Sequence, residues 1–345
     1  MCKKTLRNLF FSFLLINFSF DLFAQSTCTT PPTLLVAGKA INEVQYSDGP
    51  TSFIRASDFD AGSYSNCGNL VAFSFSPNVN DTLQDFDCFR IGTNEVTIYL
   101  TDTEGNQAFA VTYVIIQDNF NLCNNPTSTT CPNEFVLHNG LTTALSNNGT
   151  AVLQSTDFIK RIGENCTGAP IARFEDTGGE TKTVTASELG TNFTTLQLEV
   201  DGTEANKAST FVIVQEGLSA NTACIPVPIT HNGINTVLNP SGIATIYANA
   251  FDIASYSDCG GTVKLSYSDN VNDTVRVLDA GNVGLEFVEI WATDLQTNMQ
   301  NKVDVFISLR DFLAPICANL PNMQNSCDNY EAGALGNSTD ADGDG

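Results

Sequence analysis

The last six residues carry the pattern best suited to binding a cation. Asp340, Asp342 and Asp344 alternate with small residues, and Gly345 follows them. This spacing matches positions 1, 3, 5 and 6 of a calcium loop, in which alternate oxygen ligands surround one ion. The bidentate acid of position 12 would lie beyond Gly345. The pattern therefore predicts a partial calcium loop and names calcium as the only candidate cofactor, with a solvated acidic tail as the alternative.

The two histidines of the chain occupy one repeated position. His138-Asn-Gly140 and His231-Asn-Gly233 each lie seven residues after a cysteine. Two copies of one position in separate domains are poorly placed to converge on a substrate, so a turn or surface role is predicted for both. The sequence contains no nucleophile elbow, phosphate loop, dinucleotide fingerprint or zinc-protease helix motif. We therefore predict no enzyme activity, and a glycosidase site made of carboxylates alone stays the alternative.

Four further acids lie close to recurrent cysteines. Asp58, Asp60, Asp252 and Asp258 could meet cations at the ends of domains, because hard oxygen ligands suit calcium. Solvated turn residues are the simpler interpretation of these four side chains.

The chain that contains these residues repeats itself. Cys67, Cys166 and Cys259 are separated by 99 and 93 residues, and an aspartate that opens a polar turn lies 35 residues after each of them (Asp102, Asp201 and Asp294). A period near 93 residues is too long for solenoid units and matches a small domain. Three sister domains are predicted.

The remaining cysteines follow the same repeat. Cys28 precedes Cys67, Cys131 precedes Cys166, and Cys224 precedes Cys259, so one bond within each repeat is predicted for these three pairs. Cys88 and Cys123 occur only in the first repeat and form the natural fourth pair, which leaves Cys317 and Cys327 for the tail. Each repeated bond would stabilise its domain by about 4 kcal/mol. Free thiols or metal ligands are the alternative use of these cysteines.

Apolar and polar residues alternate within every repeat at the strand period. Nine segments of this kind recur, three to a repeat: 71–76, 95–101 and 109–117; 171–175, 195–200 and 209–215; 263–268, 287–292 and 302–308. Short strands without amphipathic helices between them favour an all-β fold made of antiparallel β-sandwiches. The predicted organisation is a signal peptide (1–24), three sandwiches (25–122, 123–217 and 218–311) and an acidic tail (312–345).

Composition restricts where the protein works and what it binds. A basic start and an apolar run from Leu9 to Phe20 predict a removable export signal, so we expect a secreted or cell-surface protein without membrane insertion. The net charge of −23 would repel nucleic acid and anionic lipid. Divalent cations and extracellular proteins or glycans are the partners that this charge allows.

The turn and strand at 101–118 resemble the closing signature of hyalin-repeat (HYR) modules. Ser63-Tyr-Ser-Asn-Cys-Gly68 and Asp85-Phe-Asp-Cys88 are similar to HYR-like repeats of large secreted surface proteins from Bacteroidetes-type bacteria. Ala110 stands where that family places a cysteine, which makes Cys123 the candidate partner of Cys88. The resemblance implies an immunoglobulin-like fold and an adhesive or spacer role, with no catalytic residues. The tail resembles thrombospondin type 3 calcium repeats on one partial motif.

These observations predict a non-enzymatic adhesive or spacer segment, a stalk of three sandwiches that each contain a disulfide bond, with calcium as a candidate stiffening ion. The rival hypothesis is that the repeats are accessory domains of a larger secreted hydrolase. A carbohydrate-binding module is the third possibility, and it would need a planar patch of exposed aromatic side chains.

The disulfide pattern gives a first prediction. Non-reducing peptide mapping should find Cys131 joined to Cys166 and Cys224 joined to Cys259, because the repeat places each pair within one domain. Bonds that cross from one repeat to another would contradict the pairing.

Overall fold

A computed structural model describes residues 29–42, 45–46, 50–65, 67–121, 123–124, 135–163, 169–218, 225–258 and 260–311. The predicted signal peptide and the predicted calcium loop at Asp340, Asp342 and Asp344 lie outside these residues. So do eight of the eleven cysteines: Cys2, Cys28, Cys131, Cys166, Cys224, Cys259, Cys317 and Cys327.

The described chain is built from 24 strands and six short 3-10 helices. The first repeat contains β1 (Lys39–Asn42), β2 (Gln45–Tyr46), β3 (Pro50–Arg55), β4 (Leu70–Ser74), β5 (Leu83–Asp87), β6 (Gly92–Asp102) and β7 (Gln107–Gln117). The second contains β8 (Phe135–His138), β9 (Leu141–Ala144), β10 (Thr150–Gln154), β11 (Ile159–Ile162), β12 (Pro170–Phe174), β13 (Thr181–Thr185), β14 (Gly190–Val200) and β15 (Thr203–Gln215).

The third repeat contains β16 (Pro226–Val227), β17 (Ile229–His231), β18 (Gly233–Val237), β19 (Ile243–Tyr247), β20 (Tyr256–Ser257), β21 (Val263–Ser266), β22 (Val275–Asp279), β23 (Gly284–Asp294) and β24 (Gln300–Arg310). The 3-10 helices are Ala56–Phe59, Cys88–Arg90, Ser155–Phe158, Ala186–Glu188, Ala248–Phe251 and Ala280–Asn282. None of the helices in this part of the chain has the length and apolar character needed to cross a membrane. Each of the nine strands predicted from alternation overlaps an observed strand.

Every repeat is a sandwich of two sheets. In the first repeat, one sheet contains β4, β6, β7 and β1, and the other contains β2, β3 and β5. In the second repeat, the sheet β12-β14-β15-β9 faces the sheet β10-β13. In the third repeat, the sheet β21-β23-β24-β18 faces the sheet β19-β22. Pairing is antiparallel except where β1, β9 and β18 run parallel to β7, β15 and β24. The all-β fold of three immunoglobulin-like sandwich modules is therefore confirmed.

The sheets do not stop at the ends of the repeats. β8 of the second repeat pairs antiparallel with β1 of the first, and β17 of the third pairs antiparallel with β9 of the second. The sheet of the first repeat therefore extends through β8 to β11, in the order β11-β8-β1-β7-β6-β4. Each of these junctions is made of backbone hydrogen bonds, which tolerate side-chain changes but not separation of the strands.

The third junction closes the repeats into a ring. Val36 of the first repeat pairs antiparallel with Asn235 in β18 of the third, through N–H to O contacts of 3.0 and 2.7 Å. Thr236 donates its hydroxyl hydrogen to the carbonyl oxygen of Leu34 at 2.7 Å. The three junctions share one register, so the repeats surround an approximate threefold axis. The repeats are not arranged end to end.

Alternation on the first strand explains how one segment serves two domains. Leu34 and Val36 belong to the core of their own repeat, whereas Leu35 and Ala37 belong to the core of the third repeat. The second repeat likewise places Val136 in the core of the first. Successive strand residues point to opposite faces, so a strand that is apolar on both faces joins two cores.

A glycine at each junction lets an aromatic ring lie against the backbone. A Cβ atom on Gly38 would overlap Tyr113, one on Gly140 would overlap Phe211, and one on Gly233 would overlap Phe306. Gly140 also has a φ of +89°, which side-chain-bearing residues rarely adopt. Both restraints make this glycine necessary for the close approach of the strands.

The polar turns after the long hairpin strands behave as predicted in two repeats. Asp102 is 1% exposed and accepts hydrogen bonds from the backbone of Glu104 and Asn106, and Asp294 is fully buried and caps its own turn in the same way. Asp201 differs: it is exposed, with a φ of +52° at the tip of its turn. A register shift after Leu198 explains the difference.

Cys88 and Cys123 form the disulfide predicted for the first repeat, with a Cα–Cα distance of 5.7 Å. The bond joins the 3-10 helix at Cys88–Arg90 to the segment that leads into the second repeat. Cys67 is also disulfide-bonded, and its predicted partner Cys28 lies outside the described residues. The pairs Cys131–Cys166, Cys224–Cys259 and Cys317–Cys327 stay predictions.

Two neighbouring leucines test the shared cores. Leu34→Ala and Leu35→Ala should each lower the free energy of unfolding by about 2–5 kcal/mol, since both side chains are buried. Hydrogen exchange should accelerate in β6 and β7 for Leu34→Ala, but in β24, more than 260 residues away in sequence, for Leu35→Ala. Acceleration confined to the first repeat in both variants would contradict the sharing of cores.

Candidate functional site

The candidate functional site consists of the three junctions between repeats and the faces that they hold in place. At the first junction Arg161 of the second repeat forms a bidentate pair with Asp58 of the first, with Nε–Oδ1 and Nη2–Oδ2 distances of 2.9 Å. The Asp58 side chain is 4% exposed and that of Arg161 is 15% exposed. Lys160 adds a hydrogen bond to the carbonyl oxygen of Asp60 at 3.1 Å. Two basic side chains, Arg161 and Lys160, thus bind the second repeat to the first at this junction.

The second junction has the same acid but no matching arginine. Asp157 lies in the second repeat where Asp58 lies in the first, two residues into the 3-10 helix, and it accepts the backbone N–H of Gln154 at 2.7 Å. Ala254 stands in the third repeat at the position of Arg161, three residues after the phenylalanine that ends the helix. Burial raises the pKa of Asp157 to about 6, because the single backbone hydrogen bond only partly offsets the loss of water.

Tyrosines make the equivalent contacts at the second and third junctions. Tyr256 accepts the N–H of Val152 at 2.9 Å, and Tyr64 donates to the carbonyl oxygen of Thr245 at 3.0 Å. The Tyr64 ring also packs edge-on against Tyr247, with centroids 5.3 Å apart. Side chains from the same part of each repeat therefore reach the preceding repeat at all three junctions.

The two histidines are brought together, which the sequence prediction missed. His138 and His231 are 8% and 6% exposed, and their rings pack edge to face with centroids 4.9 Å apart. The predicted surface role is wrong, because both rings are buried where each histidine ends a strand that pairs with the preceding repeat. His138 does open a turn, since its carbonyl oxygen accepts the N–H of Gly140 at 3.1 Å. Equivalent positions in separate domains converge here since the ring closes around an axis. The resulting pair lies where the second and third repeats meet.

The acids near the repeat ends are occupied by the protein itself. Asp60 accepts the backbone N–H groups of Gly62 and Ser63, and Asp252 accepts that of Ser255. Asp58 is held by Arg161, whereas Asp258 is exposed. No group of three or more His, Cys, Asp or Glu side chains able to hold a metal occurs within the described ranges. Asp58, Asp60 and Asp252 already bind amides or a guanidinium, which leaves fewer of their oxygens for a calcium ion at the junctions.

Exposed aromatic side chains repeat on the outer face of the long hairpins. Phe193 in β14 is 81% exposed and Phe287 in β23 is 72% exposed; both lie three residues after the glycine that begins the strand. Each pairs across the hairpin with another phenylalanine, Phe211 or Phe306. The first repeat has Glu95 at this position, opposite Tyr113. Two repeats thus present the same apolar feature to solvent.

A polar cluster extends the face of the third repeat. Lys302 lies over the Trp291 ring, with 5.4 Å from its nitrogen to the centroid, and it pairs with Glu289. The indole N–H donates to Glu289 at 3.0 Å. The hydrogen bonds from Lys302, followed by that from Trp291, lower the pKa of Glu289 below its usual value. The carboxylate therefore stays charged beside the exposed Phe287.

No protein-family model and no curated protein matches this sequence. Among solved structures the chain is similar to Drosophila N-cadherin EC1-4, at 9% identity over 78% of this chain and 69% of that one, with a TM-score of 0.24. The insect immune protein hemolin shares 12% identity over 81% and 76%, with a TM-score of 0.16.

An endo-fucoidan hydrolase from glycoside hydrolase family 107 shares 10% identity, with a TM-score of 0.17, over 79% of this chain but 43% of its own length. The chain therefore spans less than half of that enzyme. At these scores the similarities carry no argument about function. The HYR-like resemblance stays a prediction.

A sequence signal for the junctions existed. Leu34 to Ala37 and Phe135 to Leu137 are continuous apolar runs directly before a glycine turn, typical of strands buried on both faces. Alternation alone does not detect such strands. Arg161 and Asp157 gave no signal, because their roles depend on which repeat lies opposite them.

The two helix acids should respond in opposite directions to neutralisation. Asp58→Asn should lower the free energy of unfolding at neutral pH by about 3 kcal/mol, because it leaves the Arg161 charge buried without its carboxylate. At pH 8, Asp157→Asn should raise the free energy of unfolding by about 1 kcal/mol, a value reduced for the partial screening of the Asp157 carboxylate by solvent.

The pH dependence follows from the sign of the Asp157 shift. The pKa of Asp157 in the folded protein is about 6, above the ordinary value of 3.8. As the pH falls from above 6 towards 4, the folded state therefore binds a proton before the unfolded state does, and the free energy of unfolding rises. The advantage of Asp157→Asn should therefore disappear below about pH 4. Asp201→Asn, at an exposed turn, is the control. Equal destabilisation by both helix variants in chemical denaturation at pH 8 would contradict this assignment.

Proposed function

We propose that this chain is a non-enzymatic adhesive segment of a secreted or cell-surface protein, whose partner is an extracellular protein or glycan. The observation that carries the proposal is the repeated exposed phenylalanine of the second and third repeats. Phe193 and Phe287 lie at one equivalent position on the long hairpins of the second and third repeats. Aromatic side chains, phenylalanine among them, are enriched in protein interfaces relative to the rest of the surface.

The ring supports binding at more than one point. Shared strands fix the hairpins of the second and third repeats relative to each other through β9 and β17. Gln215 reinforces this junction by exchanging two hydrogen bonds with the backbone of Asp304, at 2.8 and 2.7 Å. When one face engages a surface, the second is held at a fixed separation, which raises its effective concentration.

We favour the adhesive role over a spacer role because of where the first and last described segments lie. β24 ends at Arg310, which pairs with Val237, and Val237 packs on the core of the first repeat. The first described segment, which includes Leu34, contacts this same junction through Thr236. A stalk needs its ends at opposite poles, whereas here the first and last strands lie close together.

Calcium stiffening belongs to this proposal through the tail alone. Three of the four acids near the junctions already bind protein groups, so a calcium ion would be held by Asp340, Asp342 and Asp344. The ion would then order the tail rather than the ring.

The repeated phenylalanines give the test. Full-length protein immobilised on a sensor should bind members of an array of polysaccharides and extracellular matrix proteins. The double variant Phe193→Ser/Phe287→Ser should weaken that binding about tenfold or more. Phe89→Ser is the matched control, since Phe89 is 96% exposed but lies on a 3-10 helix away from the hairpins. All three side chains are exposed, so melting temperatures should change little.

Two results would oppose the proposal. Binding that persists in the double variant and falls in Phe89→Ser would place the adhesive face elsewhere. Absence of binding, combined with a catalytic domain encoded in the reading frame after Gly345, would favour the rival role as accessory domains of a secreted hydrolase.

A further inference from the structure

The exposed phenylalanines of the second and third repeats flank one point of the ring. Phe211 and Phe306, which pair with them across the hairpins, lie against Gly140 and Gly233. Each glycine follows a histidine of the buried pair by two residues, so the two glycines are at most roughly 30 Å apart. A protein interface of standard size covers roughly 800 Å² of each partner, which spans a distance of that order. One partner can therefore contact both faces.

The aromatic rings of these faces do not form a flat platform on which a sugar ring could stack. The ring planes of Phe193 and Phe211 are inclined by 64°, with their centroids 6.3 Å apart. A sugar that stacked on one ring would meet the other at an angle. On the third repeat, Lys302 occupies one side of the Trp291 indole, with its nitrogen 5.4 Å from the ring centroid. The planar patch that a carbohydrate-binding module needs is therefore not provided by these side chains.

Polar side chains beside the exposed phenylalanines bind one another. Thr195 and Ser209, next along the second hairpin, share a hydrogen bond of 2.9 Å between their hydroxyl oxygens. On the third hairpin, Glu289 binds both the Lys302 ammonium and the indole N–H of Trp291. A sugar presents many hydroxyl groups, and losing their bonds to water is costly unless the binding site replaces those bonds. The engaged polar groups therefore favour an apolar partner surface over a glycan.

Apolar neighbours enlarge both faces. Leu285 lies two residues before Phe287 on the same side of β23 and is 60% exposed. Ile213 lies two residues after Phe211 on β15 and is half-buried. Exposed apolar side chains that adjoin one another mark surfaces that bind proteins. A phenylalanine that protrudes from such a surface is best accommodated by an apolar pocket of the partner.

The charges around the faces indicate the border of that pocket. Asp304 is exposed, two residues before Phe306 and opposite Glu289, so Lys302 accompanies two acids on the third repeat. Beside the second face two basic side chains pair with four acids: Arg173 and Lys207 with Glu175, Glu180, Glu199 and Glu204. Both faces therefore carry an excess of negative charge, which basic side chains of a partner would complement. A second copy of this chain would oppose acid to acid, since its net charge is −23.

We propose that the two phenylalanine faces bind one extracellular protein, which receives Phe193 and Phe287 in apolar pockets bordered by basic side chains, and that they do not bind a glycan. This inference rests on the adhesive role proposed for the chain and names the class of its partner.

Two double variants of the full chain distinguish a protein from a glycan. Phe193→Leu/Phe287→Leu keeps the apolar bulk but removes the flat ring, so binding should stay within about threefold of the unaltered chain. Phe193→Tyr/Phe287→Tyr keeps the ring but adds a hydroxyl group that an apolar pocket leaves without a partner, so binding should weaken about tenfold or more. Stacking on a sugar predicts the opposite order. Both variants change exposed side chains, and melting temperatures should confirm that they fold.

The variants are measured on separate arrays of purified extracellular proteins and of polysaccharides. Binding should occur on the protein array alone. Asp304→Lys should weaken it several-fold at low salt, because the reversed charge opposes the basic border of the pocket. Asp269→Lys, at an exposed turn of the same repeat, is the matched control and should leave the affinity unchanged.

Binding to polysaccharides that tolerates tyrosine and is lost with leucine would overturn this inference and leave the adhesive role intact. Binding that the double serine variant Phe193→Ser/Phe287→Ser leaves unchanged would overturn both. So would an absence of binding on both arrays. Self-association alone, seen as a mass that rises with concentration in analytical ultracentrifugation, would make a second copy the partner and contradict the proposal.

Discussion

The structure depends on one constraint: the first strand of each repeat must satisfy backbone hydrogen bonds on both of its edges. Val36 pairs with Asp60 of its own repeat and with Asn235 of the third repeat. β8 pairs in the same way with β11 and with β1. A buried amide or carbonyl without a partner is costly, so each repeat is complete only when a neighbour supplies the second edge. Three repeats satisfy this requirement by closing on themselves.

Closure accounts for the differences between side chains at equivalent positions. A buried acid is well tolerated at the first junction because Arg161 accompanies it, and poorly at the second because Ala254 does not. The histidine pair packs edge to face where the second and third repeats meet. Backbone pairing keeps all three junctions alike while their polar contacts diverge, so one architecture can carry faces of different chemistry. The exposed phenylalanines of two repeats, replaced by Glu95 in the first, are such a face.

The fold within each repeat could be predicted from the sequence, whereas the arrangement of the repeats could not. Period-two alternation located β6, β7 and the seven other predicted strands, and the cysteine spacing gave the bond between Cys88 and Cys123. The junction strands were missed because an apolar run on both faces shows no alternation. Asp157 and His138 gained their environments from residues about 100 positions away, which no local pattern reports. The predicted stalk rested on domains in line, which the ring replaces.

Small-angle X-ray scattering of the protein in solution tests the closed ring most directly. A ring held by the pairing of Val36 with Asn235 should give a radius of gyration close to that of one compact body, about 19–20 Å for a chain of this length, slightly increased by the tail. It should also give a pair-distance distribution with a single symmetrical peak. A distribution with a long shoulder, extending to the added lengths of three separate domains, would show repeats strung in a line and would contradict the account.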